Sequence, residues 1–173
     1  MQIVTNATRN CSAVSSLPID PSNTRYYRRA RFTSRLPTDY RFVPSHYWLR
    51  EMEPGLYRVG LTRFATRMLG DFVEREFQVA AGDRVSVGQI VGWIEGFKAV
   101  ADIYCAAEGT FVAANDALDQ QPNLIDNDPY DGGWIYLVRG KPADNSTDCE
   151  GYAALLDLAI DRMLAQQEKK EKC

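Results

Sequence analysis

The fold follows from the segment VGWIEGFKAVADIY, residues 91–104 of this 173-residue chain. Apolar runs of strand length, rich in β-branched and aromatic residues, stand on both sides of Lys98. They predict two strands joined as a hairpin, with Lys98 at the tip. Such a lysine is exposed on a rigid support, as an enzyme needs if it is to acylate one amine and ignore the others. An ordinary solvated lysine in a tight turn is the alternative that spacing alone leaves open.

The composition is that of an ordinary globular protein. The chain is 45% apolar and 25% charged, and 20 basic side chains against 23 acidic ones give a net charge of −3. This balance gives no general case for a nucleic-acid partner or an anionic membrane. No apolar run approaches the length that spans a bilayer. We therefore expect one domain with appendages and neither kind of partner.

The cysteines and the single histidine suggest neither metal binding nor catalysis. Cys11, Cys105, Cys149 and Cys173 lie far apart without C-x-x-C spacing, which argues against a zinc site or a redox pair. We place Cys105 in a strand and Cys149 at a helix start. Scattered thiols are typical of a reducing compartment, so we expect a cytoplasmic protein. His46 lacks companions for a metal site or a dyad and is interpreted as structural or hydrogen-bonding.

Residues 1–39 are interpreted as a basic, Ser/Thr-rich arm. Residues 1–22 show no periodicity and are predicted to have little structure of their own. A mitochondrial transit peptide is disfavoured, because Arg9 is the only arginine in this segment. Arginines and aromatic residues then alternate: Arg25, Arg28, Arg29, Arg31, Arg35 and Arg41 with Tyr26, Tyr27, Phe32 and Tyr40. Such a patch can bind nucleic acid or dock on an acidic surface, and the acidic chain favours docking on its own domain or a partner.

Residues 40–142 are predicted to form a compact β domain. We expect strands at 47–50, 56–61, 72–79, 84–86 and 133–138, separated by turns that contain glycine. Thr62 and Gly70 bound a predicted short helix, and residues 116–121 form one helical turn. A predicted turn at Glu108-Gly109, with the strand that follows it, is similar to the turn at residues 81–83 and the strand that follows that turn. This weak internal two-fold predicts a flattened β-sandwich.

The loop at residues 126–133 is acidic. Asp126, Asp128 and Asp131 could coordinate calcium, but the segment lacks the glycine and terminal glutamate of a calcium loop. We interpret it as a solvated loop and predict no metal site.

Residues 143–173 are predicted to contain a C-terminal helix. The sequence Thr147-Asp148-Cys149-Glu150 has the form of a capping box. An apolar stripe follows at helical spacing: Tyr152, Leu155, Leu156, Ala159, Met163 and Leu164. The stripe covers either the β domain or a second subunit, and the sequence leaves both open.

A series of short motifs then occurs in one collinear order over residues 47–140. They are Gly60-Leu61-Thr62, Leu69-Gly70-Asp71, Ala81-Gly82-Asp83, the segment 95–104, Glu108-Gly109, Asn115-Asp116-Ala117-Leu118, Pro122-Asn123-Leu124, Asn127-Asp128-Pro129-Tyr130 and Gly133-Trp134. In this order the chain resembles the H proteins of the glycine cleavage system. The resemblance implies a mainly β fold, a flattened β-sandwich or barrel-sandwich hybrid of the lipoyl and biotinyl type, with short helices and a C-terminal helix.

The resemblance also implies a function and a set of site residues. It makes Lys98 the lipoate attachment site, and Glu95 and Gly109 the positions that help lipoylating enzymes to choose it. It implies a non-catalytic lipoyl carrier of glycine catabolism. The arm would carry an aminomethyl group and electrons among a pyridoxal-phosphate glycine decarboxylase, an aminomethyltransferase and a dihydrolipoyl dehydrogenase. A solvated strand charge at Glu95 and a turn former at Gly109 are the structural alternatives.

Departures from the family pattern keep other functions open. His46-Tyr47-Trp48 stands where the family usually has His-Glu-Trp, which removes a carboxylate associated with sheltering the loaded, cationic arm. Phe97 replaces a small aliphatic residue before Lys98. The alternatives are an H-like lipoyl carrier of another pathway, such as sulfur-compound oxidation, and an unlipoylated interaction module. Biotin attachment is remote, because biotin hairpins normally place methionines beside the lysine.

Overall fold

A computed structural model describes residues 19–172, which form three antiparallel sheets and a long C-terminal helix. The strands are β1 (Thr24–Arg29), β2 (Phe32–Pro37), β3 (Arg41–Phe42), β4 (Tyr47–Glu53), β5 (Leu56–Leu61), β6 (Phe72–Phe77), β7 (Arg84–Val85), β8 (Ile90–Gly96), β9 (Val100–Tyr104), β10 (Ala107–Ala114) and β11 (Trp134–Pro142). The helices are α1 (Arg63–Leu69), α2 (Ala117–Gln120), α3 (Leu124–Asn127) and α4 (Cys149–Glu171), with a 3-10 turn at Pro21–Asn23. The predicted mainly β fold with short helices and a C-terminal helix is confirmed.

The sheets follow from hairpins that the sequence encodes locally. β1 pairs with β2, and β6, β8 and β9 form a three-stranded sheet in that order. The larger sheet has the order β3-β4-β5-β11-β10-β7. Pro54 and Gly55 turn the chain between β4 and β5, and Gly55 has a φ of +77°, which glycine adopts at little cost.

The main core joins the six-stranded sheet to the three-stranded one. Its fully buried side chains include Leu49, Val59, Ile94, Ile103 and Val138. This apolar layer between two sheets agrees with the predicted sandwich.

Within that core, one tyrosine has its polar end satisfied. The hydroxyl of Tyr136 donates to the carbonyl of Tyr104 at 3.1 Å and accepts from the amide of Ala106 at 2.9 Å. Burial raises the pKa of Tyr136 well above its usual value, so the phenol remains neutral.

A second core lies beneath α4 and the β1–β2 hairpin. The ring of Phe42 stacks on Tyr152 of α4 with centroids 4.7 Å apart, and Leu156 is fully buried beside them. The indole nitrogen of the buried Trp48 donates to Leu61 O and Pro129 O. The apolar stripe of α4 therefore covers the β domain, the first of the two possibilities that the sequence left open. Leu164 is an exception, 40% exposed near the helix end.

The arginine-rich hairpin docks on the acidic side of α4. Arg29 lies 2.7 Å from Asp161 and 3.5 Å from Asp157, and Arg25 lies 3.0 Å from Glu150. The sequence favoured docking on an acidic surface, of the chain's own domain or of a partner, and in the structure that surface is the chain's own α4. Residues 1–18, with Arg9 and Cys11, and residue 173 lie outside the described part, so the prediction for them stays untested.

Four local predictions were wrong: the turn at Glu108-Gly109, the strand at Cys105, the N-cap of α4 and the solvated acidic loop. Glu108 and Gly109 lie inside β10, where Gly109 faces Gly140 of β11. A Cβ on Gly109 would lie 2.0 Å from Arg139 O, so a glycine is needed there for close strand approach and not for a turn. Cys105 was predicted to lie in a strand, but it lies just after β9, where it is buried.

The third error is the N-cap of α4. Asp148 caps this helix by accepting from Gly151 N at 2.9 Å, one residue after the predicted Thr147. Thr147 cannot serve because its backbone N–H and C=O both pair with Phe42. The start of the helix at Cys149 agrees with the prediction.

The acidic loop is not simply solvated. Asp131 is buried and ion-paired with Arg50 at 3.2 Å and Arg58 at 3.5 Å. The short helix α3, which was not predicted, carries Asp126. Among residues 19–172 no cluster of histidine, cysteine, aspartate and glutamate could hold a metal ion.

Candidate functional site

Lys98 lies at the tip of the β8–β9 hairpin, as predicted. The last paired residues are Glu95 and Val100, and Gly96 N donates to Ala99 O at 2.9 Å. Phe97 and Lys98 therefore form the turn, with both side chains exposed and Phe97 81% accessible.

The tip is held against the end of α1. The amide of Lys98 donates to Leu69 O and the amide of Phe97 to Asp71 O, both at 3.0 Å. The ammonium nitrogen of Lys98 donates to Arg67 O at 3.2 Å. The tip backbone is thus fixed by carbonyl groups at the last residue of α1 and just beyond it, while the lysine side chain stays accessible.

Two glycines make this close packing possible. Gly70 has a φ of +80°, and a Cβ there would lie 2.9 Å from both Lys98 N and Lys98 Cγ. A Cβ on Gly96 would lie 2.4 Å from Leu69 O. The sequence identified Gly70 only as a helix end; its contact with Lys98 could not be predicted because it depends on how α1 packs on the hairpin.

A depression of about 270 Å³ opens beside Lys98. Its lining contains Arg63, Thr66, Arg67, Gly70, Asp71, Phe97, Lys98 and Asp126. Asp126 accepts from Phe72 N at 3.2 Å, and its partial burial raises the pKa of the carboxyl. The sequence singled out Asp126 only as a rejected calcium ligand. The structure instead brings Asp126, with Asp71, to the lining of the depression at the candidate site.

Glu95 belongs to an acidic outer face of the three-stranded sheet. Strand pairing sets Glu95 beside Glu74, and Glu76 and Asp102 flank Trp93 on the same face. None of these four carboxylates has an ion-pair partner within residues 19–172. Paired glutamates of like charge cost stability. The acidic side chains on this face next to Lys98 are therefore suited to a basic partner.

Gly109 belongs to a different sheet from Lys98. It lies in β10 of the six-stranded sheet, whereas Lys98 and Glu95 belong to the β8–β9 hairpin. The structure thus brings Glu95 and Lys98 together and leaves Gly109 in the other sheet.

Tyr47 fills the position where the family usually has a glutamate. Its hydroxyl accepts from Tyr104 N at 3.1 Å and donates to Asp102 O at 3.4 Å, so it binds the strand that follows Lys98. Burial raises the pKa of Tyr47 to about 12, and the group is neutral. This side of the hairpin therefore has a buried phenol instead of a carboxylate.

A rigid β-sandwich that presents one lysine on a short, anchored hairpin is the arrangement of a carrier domain for a covalently attached group. The family model of the glycine cleavage H-protein matches residues 40–156. The chain belongs to this family. The match leaves β1, β2 and the last turns of α4 outside it.

Individual relatives agree with the family model. The glycine cleavage system H proteins of Shewanella loihica and Shewanella oneidensis are both 39% identical to this chain, over 127 and 129 residues. Each alignment covers 72% of this chain and 98% of the relative. The crystal structure of a glycine cleavage system H protein from Mycobacterium marinum superposes with a TM-score of 0.62 at 31% identity, covering 69% of this chain and 97% of that one.

Membership in this family indicates the general role of the protein. Proteins of this family are carrier components of glycine cleavage and carry lipoate. No helix in the described part of the chain is long and apolar enough to cross a membrane.

Proposed function

We propose that this chain is a lipoyl carrier of the glycine cleavage system, with lipoate joined by an amide to the side-chain nitrogen of Lys98. The observation that carries the proposal is the exposed lysine on a tip whose backbone is fixed by Leu69 O and Asp71 O. A lipoylating enzyme can reach this amine without unfolding the domain. After acylation the nitrogen keeps one N–H, enough for the present hydrogen bond to Arg67 O.

Glu95 and Gly109 are proposed to guide lipoylation in different ways. Glu95 lies near Lys98 on an acidic face, where a basic lipoylating enzyme could read it directly. Gly109 allows β10 and β11 to approach, so any influence on lipoylation would pass through the fold. The role of Gly109 rests on the resemblance.

The attached lipoyl group would supply the chemistry, carrying an aminomethyl group and then electrons among the decarboxylase, the aminomethyltransferase and the dihydrolipoyl dehydrogenase. The residues of this chain support and shelter it. The depression beside Lys98 is lined by Asp71 and Asp126, whose carboxylates would attract a cationic amine, and Arg63 and Arg67 line it as well. These aspartates would compensate for the glutamate that Tyr47 replaces. The protein needs no catalytic residue of its own.

The two described cysteines support a reducing location for the protein. Cys105 and Cys149 are free and buried, in keeping with a reducing compartment such as the cytoplasm. Burial also raises the pKa of both thiols, which keeps them protonated and unreactive.

The test is the intact mass of the protein produced with lipoate and a competent lipoylating enzyme. We expect a lipoyl-sized increment in the wild type and in Lys141→Ala, a control at another exposed lysine, and none in Lys98→Ala. The lipoylated protein should then support glycine decarboxylation by the purified decarboxylase. Absence of the increment from the wild type would favour an unlipoylated interaction module, and a biotin-sized increment would favour the biotinyl alternative.

A second candidate, a lipoyl carrier of another pathway such as sulfur-compound oxidation, is favoured by Tyr47. A neutral buried phenol replaces the family's carboxylate, and its hydroxyl is already engaged by β9. A protein that is lipoylated on Lys98 but does not support glycine decarboxylation would favour this candidate over the first.

A further inference from the structure

A groove of about 650 Å³ lies between the β1–β2 turn, α1 and α4. Its apolar lining includes Phe32, Phe64, Met68, Ile160, Met163 and Leu164. Met68 is 46% exposed and Leu164 is 40% exposed, although both belong to otherwise amphipathic helices. We call this surface the arginine groove, because Arg31 and Arg67 line it as well.

These two arginines have no carboxylate partner among residues 19–172, unlike Arg25 and Arg29 on the same hairpin. The guanidinium of Arg67 lies over the ring of Phe32 at 5.1 Å, and Phe32 in turn packs edge-on against Phe64. Arg67 is therefore fixed in place by the hairpin. The basic character of the groove is local, because the whole chain has a net charge of −3.

The arginine groove adjoins the candidate site. Arg67 lines both the groove and the depression beside Lys98, and its carbonyl accepts the hydrogen bond from the lysine side chain. The β1–β2 hairpin and Leu164 lie outside residues 40–156, which the family model matches. The groove is thus built from the family domain together with elements added to it.

We propose that the arginine groove docks an acidic, amphipathic segment on the surface of an enzyme that acts on the Lys98-linked group. This inference rests on the proposed function. Unpaired arginines beside an apolar floor fit carboxylates placed next to apolar side chains. An enzyme that receives the arm must approach this face, so the groove sets which enzyme docks and how it is oriented.

The groove does not have the features of a nucleic-acid site. Its exposed floor is formed by methionine and leucine, while the aromatic ring of Phe64 is buried and that of Phe32 is covered by Arg67. Base stacking needs exposed rings.

The test uses the full-length lipoylated protein and the purified decarboxylase, aminomethyltransferase and dihydrolipoyl dehydrogenase. The KM of each enzyme for the carrier is measured at low and high salt. For at least one enzyme, Arg31→Glu should raise KM about fivefold at low salt with kcat unchanged, and the effect should shrink at high salt. Arg84→Glu is the matched control, an exposed arginine without an ion pair in the described chain and outside the groove.

A second matched pair tests the apolar floor. Leu164→Ser should raise KM for the same enzyme, whereas Leu158→Ser, at a 57% exposed position of α4 outside the groove, should leave it unchanged. Equal KM values for both members of each pair with all three enzymes would overturn the inference, as would binding of single-stranded RNA lost in Arg31→Glu. If the wild type is lipoylated and supports glycine decarboxylation while the KM values stay equal, this inference fails and the proposed function stands. If the wild type is not lipoylated, the proposed function fails.

Discussion

Gly70 joins the end of α1 to the hairpin that carries Lys98, and replacing it by alanine tests how the tip is held. Its φ of +80° and ψ of −177° lie in a region used almost only by glycine, so alanine costs about 1–3 kcal/mol in backbone strain. The new Cβ would also lie 2.9 Å from the backbone nitrogen of Lys98. Relief of that overlap costs about 1–3 kcal/mol more. We expect Gly70→Ala to lower the free energy of unfolding by about 2–6 kcal/mol in total.

Gly88→Ala is the control, since Gly88 has a similar φ of +79° but no atom within 4 Å of the added Cβ. It should cost only about 1–2 kcal/mol, the strain of the left-handed backbone. Urea unfolding measures both losses. The rate at which each folded variant gains the lipoyl mass measures the effect on the tip, and we expect it to fall for Gly70→Ala alone.

Two results would refute this reasoning. Equal losses of stability in Gly70→Ala and Gly88→Ala would show that neither the contact with Lys98 nor the unusual ψ at Gly70 carries a cost. A folded Gly70→Ala protein that is lipoylated at the wild-type rate would show that the anchoring on α1 does not matter for recognition of the lysine.

Three further variants test the interior. Asp131→Asn should lower the free energy of unfolding by about 3 kcal/mol because Arg58 is left buried without its partner; an unchanged urea midpoint would contradict this. Burial lowers the pKa of His46, so the unfolded chain takes up a proton near pH 6.5 and the folded chain does not. The free energy of unfolding should therefore decline as the pH falls below 6.5, and more steeply in the wild type than in His46→Asn. Asparagine is chosen because it tolerates the φ of +67° at this position. Parallel curves of stability against pH for the two proteins would exclude this contribution. Tyr47→Phe leaves the amide of Tyr104 without its acceptor and should cost about 1–3 kcal/mol in urea unfolding, and no loss would show that water replaces the hydroxyl.

The features that the sequence predicted well are local ones. The runs on either side of Lys98 have strand length and composition, and a hairpin brings neighbouring segments together without long-range information. Thr62 and Gly70 bound α1 as predicted, because a helix cap acts on the adjacent turn. The lysine position therefore followed from the sequence, and the resemblance supplied its chemical role.

The features that were missed depend on contacts between distant segments. Glu108-Gly109 has the composition of a turn, but the need for glycine comes from the approach of β11, encoded some thirty residues later. Asp126 reaches the depression beside Lys98 only because α3 packs near α1. Thr147 lost its expected capping role to a pairing with Phe42. In each case a correct local propensity was overridden by tertiary packing.

The β1–β2 hairpin and α4 depend on each other and on the domain between them. Tyr27 and Leu36 of the hairpin share one apolar cluster with Trp48 of the β domain and Leu156 of α4. The hydroxyl of Tyr27 also donates to Asp157 at 2.7 Å, so polar and apolar contacts hold the same pair of elements together. Removal of the hairpin would leave aromatic surface of the domain exposed to water, at roughly 25 cal/mol for each Å². The hairpin is therefore an integral layer of the fold, and the arginine groove that it forms with α1 and α4 rests on this shared apolar cluster.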